Sequence, residues 1–129
     1  MRISRDILVA SAVIGVLATC WIGSEIYYAK SISPSGVRTV ADHFHRFGEP
    51  RRITQFQHAG ATYYELGGVT HKVPALAFPS SPPAYIYDDS GKFVAWCSDP
   101  GDRPAFRERW QMTNAQQVDI ATFRKKYDH

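Results

Sequence analysis

The sequence predicts an α+β fold: a small antiparallel sheet of about four strands with helices packed on one face, preceded by an N-terminal transmembrane helix. Three observations carry this reading. An uncharged run of 18 residues, Ile7 to Ser24, lies near the N-terminus. Two stretches of β-branched and aromatic residues each enclose a Gly-containing turn, and apolar residues recur at helical spacing on either side of them. At 129 residues the chain has room for one ordinary domain, which excludes a multidomain enzyme. Its 44% hydrophobic and 21% charged content argues against a disordered, collagenous or disulfide-scaffold protein.

The N-terminal run sets the organisation. Eighteen helical residues cover about 27 Å, close to a hydrocarbon core of about 30 Å. Ile7, Leu8, Val13, Ile14, Val16, Leu17, Trp21 and Ile22 supply its apolar surface, and Trp21, Tyr27 and Tyr28 carry rings suited to the headgroup level. Arg2 and Arg5 precede the run and Lys30 follows it. The charge bias therefore places the N-terminus in the cytoplasm and the rest of the chain in the periplasm, as a single-pass protein of the inner membrane. A second reading takes the segment as an export signal ending in Leu17-Ala18-Thr19-Cys20, with Cys20 lipidated. The chain then divides into an anchor or signal (1–29), a polar tether (30–35) and an extracytoplasmic α+β domain (36–129).

Beyond residue 29 there are 13 basic and 10 acidic side chains, an excess too small to indicate nucleic acid as a partner. The Arg124-Lys125-Lys126 run reads as the solvated end of a helix. Ser33 and Pro34 offer an N-cap and first helical position for a helix whose stripe is Val37, Val40, Ala41, Phe44 and Phe47. Gly48-Glu49-Pro50 stops it. Ile53–Gln57 and Ala61–Leu66 read as a hairpin turning at Ala59-Gly60. Ala84–Tyr87 and Lys92–Cys97 read as a second hairpin turning at Asp88–Gly91. Between them, residues 67–83 hold two Gly and four Pro, which reads as a long loop. A short helix over Arg103–Gln111, capped by Asp102, carries Phe106 and Trp110 on one face. Thr113–Gln116 reads as the capped start of a last helix reaching about Tyr127.

No catalytic signature, cofactor motif or metal set emerges. His43 and His45 are two residues apart, about 200° around a helix, and cannot grip one ion. Cys97 with His71 and Asp99 supplies the residue types of a thiol enzyme without a spacing that joins them. Asp99-x-x-Asp102 lacks the carboxylate density of a calcium loop. The domain holds 14 aromatics, more than a small core needs, so Tyr85, Tyr87, Trp96 and Trp110 are candidates for a partner surface. Val73, Leu76 and Phe78 in the apolar centre of the long loop are candidates for the same role.

Three segments together resemble the SmpA/OmlA family of small outer-membrane-assembly lipoproteins. They are Gly36-Val37-x-x-Val40 through Phe44 and Phe47-Gly48-Glu49-Pro50, then Tyr63-Tyr64-Glu65, then Tyr85-Ile86-Tyr87-Asp88-Asp89-Ser90-Gly91-Lys92-Phe93-Val94. The resemblance covers about 60 residues. The Thr19-Cys20 junction, the Pro-rich segment 67–83 and the helices after Asp102 depart from the family pattern. It implies a non-enzymatic accessory subunit with helices on one face of an antiparallel sheet, and it carries over no catalytic residue. The function expected from these readings is a membrane-anchored, partner-binding subunit of an envelope complex, in contact with the bilayer through residues 7–24 and with one or more membrane or envelope proteins. Two alternatives stand beside it: a small envelope hydrolase or thiol enzyme using Cys97 or the Asp99/Asp102 turn, and a phage- or plasmid-encoded membrane exclusion or lysis protein.

Overall fold

A computed structural model describes residues 4–67, 83–98 and 103–127. Its first element, α1 (Arg5–Ile32), begins at Ser4, whose hydroxyl accepts from the Ile7 N–H. The helix does not stop where the uncharged run ends. Residues 25–32 contain no Gly or Pro, and the first breaker is Pro34, which holds Ser33 in an extended conformation. Half of the expected tether is therefore the last turn of α1.

The second helix, α2 (Val40–Phe47), starts later than the Ser33-Pro34 signal suggests. Gly36 takes a positive φ of 82° within a turn closed by the Val37 N–H on the Pro34 carbonyl. A stronger start follows. Thr39 Oγ1 accepts from the Asp42 N–H while the Asp42 carboxylate accepts from the Thr39 and Arg38 N–H groups. This capping box satisfies donors that a helix start otherwise leaves unpaired. Those backbone bonds, led by the one from Arg38, hold the Asp42 carboxyl below its usual range. The end comes where the sequence signals it, at Gly48, whose N–H bonds to the Phe44 carbonyl.

Both expected hairpins form. Strands β1 (Arg52–His58) and β2 (Ala61–Gly67) pair in register from Arg52↔Gly67 to His58↔Ala61. Ala59 and Gly60 both have positive φ, 50° and 80°, the backbone of a two-residue turn that matches strand twist. In the second hairpin, β3 (Ala84–Asp88) and β4 (Phe93–Cys97), the Asp88 carboxylate gathers the turn by accepting from the Ser90 N–H and hydroxyl and the Lys92 N–H. Helix α3 (Pro104–Trp110) follows and closes on Gln111 in the left-handed region.

Residues Thr113–Gln117 are a strand, β5, and not the start of the last helix. They add to the free edge of β1, and the Val118 N–H bonds the Ile53 carbonyl to complete the join. The cap of α4 (Ile120–Tyr127) is supplied instead by Asp119, whose carboxylate accepts from both the N–H and the hydroxyl of Thr122. Every residue of β5 is exposed, so its pairing has no apolar alternation to announce it. The sheet thus has five strands, all antiparallel, in the order β4-β3-β2-β1-β5.

Strand alternation divides the core in two. Ile53, Tyr64, Leu66, Tyr85 and Tyr87 belong to one cluster, with Val40, Phe44 and Phe47 of α2, Phe123 of α4 and Ile32 of α1. Phe56 and Ile86, whose parity along β1 and β3 is opposite to that of Ile53 and Tyr85, belong to the other, with Trp110 of α3 and the half-buried Tyr63 and Phe106. Helical side chains therefore join both clusters, where the sequence reading put all helices on one face. The stripe of α2 and the ring of Phe123 already occupy the first. Phe106 and Trp110 bury against the second.

Candidate membrane anchor and its junction with the domain

The surface of α1 separates it from every other element. Ile7, Leu8, Val13, Ile14, Val16, Leu17, Trp21 and Ile22 are each at least half exposed, as are Val9, Ile26 and Tyr27. No residue of its most apolar stretch is buried in the domain, and the helix is long and apolar enough to cross a membrane. Leaving this much apolar side chain in water is unfavourable by about 25 cal/mol per Å². Cys20 lies within the same exposed surface.

The last turn behaves differently. Ile32 is buried in the aromatic core and Tyr28 packs against it. The Tyr85 hydroxyl donates to the Ile32 carbonyl. From α2, the Arg46 guanidinium donates Nε–H to the Ser33 carbonyl at 2.9 Å and Nη2–H to the Lys30 carbonyl at 3.0 Å. The final carbonyls of a helix have no partner within it and carry its negative dipole end, so a cation with a planar fork of donors suits them. Three hydrogen bonds from two elements, β3 and α2, together with the packing of Ile32 and Tyr28, thus fix the end of α1 to the domain. Sequence reasoning missed this junction by treating residues 30–35 as a tether. The signal that could have revealed it is the absence of any breaker between Ser24 and Pro34.

Beneath the junction lies the pair His43 and Tyr87, with Nδ1 2.8 Å from the phenol oxygen. His43 is ringed by Phe44, Phe47, Tyr85 and Tyr87, with centroids 4.9 Å away at Phe47 and 5.0 Å at Tyr85. Burial pushes its pKa down to about 3, so the imidazole is neutral at ordinary pH. Burial, with help from the neighbouring Tyr85 phenol, pushes the Tyr87 hydroxyl well above its usual range. His45 is exposed on the other side of α2, so the two imidazoles diverge as the helical spacing requires.

The aromatic residues expected at a partner surface are elsewhere. Tyr85, Tyr87 and Trp110 are buried and Trp96 is half-buried, stacked on Tyr85 with its ring plane within 8°. The excess of rings is taken up by two clusters, one on each side of the sheet, so these four residues do not form an exposed patch. Cys97 is also buried, at the end of β4. Val73, Leu76, Phe78, His71, Asp99 and Asp102 lie outside the described residues. Among those described, no group of three His, Cys, Asp or Glu side chains stands close enough to hold a metal ion. A cleft of about 340 Å³ is lined by Arg52, Thr54, Glu65, Phe106, Arg107 and Met112, and within it Arg52 and Glu65 approach to 3.5 Å. Comparisons with protein-family models, with curated proteins and with solved structures return no match.

Proposed function

We propose that this protein is a single-pass, membrane-anchored accessory subunit of a cell-envelope complex, with its N-terminus in the cytoplasm and its α+β domain on the far side of the inner membrane. One observation carries the reading: a helix whose large apolar side chains are exposed from Ile7 to Tyr27 runs without interruption into the core of a small domain. Lipid is the solvent that suits such a surface, and the domain then stands at a fixed distance from the bilayer. The resemblance to small outer-membrane-assembly lipoproteins points to the same class of non-enzymatic subunit. The contact with a partner falls to surfaces outside the aromatic core, with Val73, Leu76 and Phe78 as the sequence-based candidates.

The test is purification of the tagged full-length protein from its native membrane in gentle detergent, followed by mass spectrometry of the intact chain and of what elutes with it. A stoichiometric companion and an intact Met1 are the expected result. A solitary protein would overturn the subunit reading. A chain beginning at a lipidated Cys20 would replace the helical anchor with a lipid one. Joint replacement of Val73, Leu76 and Phe78 by Ser should release the companion while leaving the domain folded.

A further inference from the structure

Resting on the anchor reading above, we propose that Lys30 and Arg46 form a binding site for the phosphate of an anionic phospholipid headgroup where α1 leaves the bilayer. Depth is the first argument. Lys30 lies six residues beyond Ser24, the end of the uncharged run, which is about 9 Å along the helix. The polar layer on each side of a bilayer is about 5–8 Å thick, and tilting the helix shortens the projected distance, so Lys30 falls at headgroup level. Trp21 and Tyr27, both exposed, precede Lys30 on the helix and mark the approach to that level from the apolar side.

Arg46 reaches the same depth although it lies 16 residues further along the chain. Its guanidinium is held on the Lys30 and Ser33 carbonyls, so Arg46 stands against the turn of α1 that bears Lys30. The fork has five N–H donors and two of them go to α1, which leaves it able to engage a phosphate as well. Both side chains are exposed.

Neutralisation is the second argument. Among the described residues, neither Lys30 nor Arg46 is in an ion pair with a carboxylate. Asp42, the acidic residue nearest to Arg46 along α2, is committed to its capping box. Glu25 precedes Lys30 by five positions, about 140° around the helix, and faces another direction. The negative end of the α1 dipole amounts to about half a charge, less than the two cations supply. A headgroup phosphate completes the balance, and the aromatic rings around it fit the boundary between acyl chain and headgroup.

Full-length protein in nanodiscs of mixed phosphatidylcholine and phosphatidylglycerol, released for native mass spectrometry, reads the preference directly. Wild type should retain phosphatidylglycerol over phosphatidylcholine by about fivefold for each cation. Lys30→Gln and Arg46→Gln should each remove its share. Lys30→Gln is decisive, because the junction uses only the Lys30 backbone carbonyl and survives the change. Retention in the proportions of the nanodisc, or an enrichment that outlasts both substitutions, would overturn the lipid site while leaving the anchor intact. Release of the protein from membranes by alkaline carbonate would overturn the anchor reading and this inference with it. In detergent, a rise in unfolding temperature on adding inorganic phosphate that both substitutions abolish would assign the site to free phosphate instead.

Discussion

Helices α1 and α2 are separated by seven residues and both are rich in large apolar side chains, yet one buries almost nothing within the molecule and the other buries half of its residues. The difference is one of pattern. In α1 the apolar residues run all round the cylinder, so no single face could hide them against a sheet. In α2 they form one stripe, Val40, Phe44 and Phe47 with His43, and Asp42, His45 and Arg46 occupy the rest. A uniform surface calls for a uniform solvent and a striped one for a facing layer. The two helices meet where the patterns change, with Arg46 of α2 holding the last carbonyls of α1.

This contrast should be separable by mutation. The largest effect is expected at Phe44, which is buried between the sheet and Phe123 with ring centroids 6.5 Å apart. Phe44→Ala removes a core aromatic and should cost about 3–5 kcal/mol, a large part of the stability of a domain this size. Urea unfolding in detergent, followed by tryptophan fluorescence, should show the lowered midpoint. Membrane association measured by carbonate extraction should be unchanged. Leu17→Lys is the reciprocal experiment. A lysine at the centre of the apolar run opposes insertion by about 2.5–3.5 kcal/mol. Membrane association should fall and the domain's unfolding midpoint should hold. If Leu17→Lys instead destabilised the domain, α1 would be packing against protein and the two helices would be alike after all.

The third expectation concerns pH and isolates the buried side of α2. His43 has a folded-state pKa of about 3 against 6.5 for an unperturbed side chain, so the unfolded chain takes up a proton that the folded one refuses. Its contribution is complete above pH 6.5 and is lost as pH falls from there toward 3. Each unit is worth about 1.4 kcal/mol, so stability should drop by about 2–3 kcal/mol on going to about pH 4.5. Asp42, Asp88 and Asp119, whose carboxyls are held below their usual 3.8, lose their contributions only at lower pH. His43→Gln cannot titrate and should flatten the profile in this window. A profile that kept its slope would place the responsible proton elsewhere.

The same division explains what the sequence made legible. The apolar run, the Gly48 stop, the Ala59-Gly60 turn and the Asp88–Gly91 turn each rest on a local mechanism that a few neighbouring residues determine, and each stands where expected. What escaped depends on distant partners. Strand β5 carries the polar sequence Thr-Asn-Ala-Gln-Gln and exists because β1 has a free edge, so no periodicity within it could mark it. Tyr85, Tyr87 and Trp110 read as surface candidates because the count of rings looked excessive. The structure gives the sheet two apolar faces, and two faces consume more rings than one. The junction was hidden for the same reason, since Arg46 finds Lys30 only after α2 folds back onto the sheet.

The smallest expected effect sharpens the comparison most, because it places one chemistry in both helices. Ser4 caps α1 and Thr39 caps α2 in the same way, each side-chain oxygen accepting from a backbone N–H three residues on at 3.3 Å. Removing such a cap typically costs about 1 kcal/mol. An eight-residue helix is too short to persist alone, so α2 depends on its cap and its packing together, and Thr39→Ala should lower the domain's unfolding free energy by about that amount. The 28-residue α1 is supported along its length by lipid in the proposed setting, where exposed backbone is far more costly than in water. Ser4→Ala should fray one turn at the membrane surface and leave the domain's unfolding midpoint where it was. Equal losses from the two substitutions would mean that α1 and the domain unfold as one cooperative unit, with the Arg46 and Tyr85 bonds coupling the bilayer helix to the sheet strongly enough to transmit a change at one end to the other.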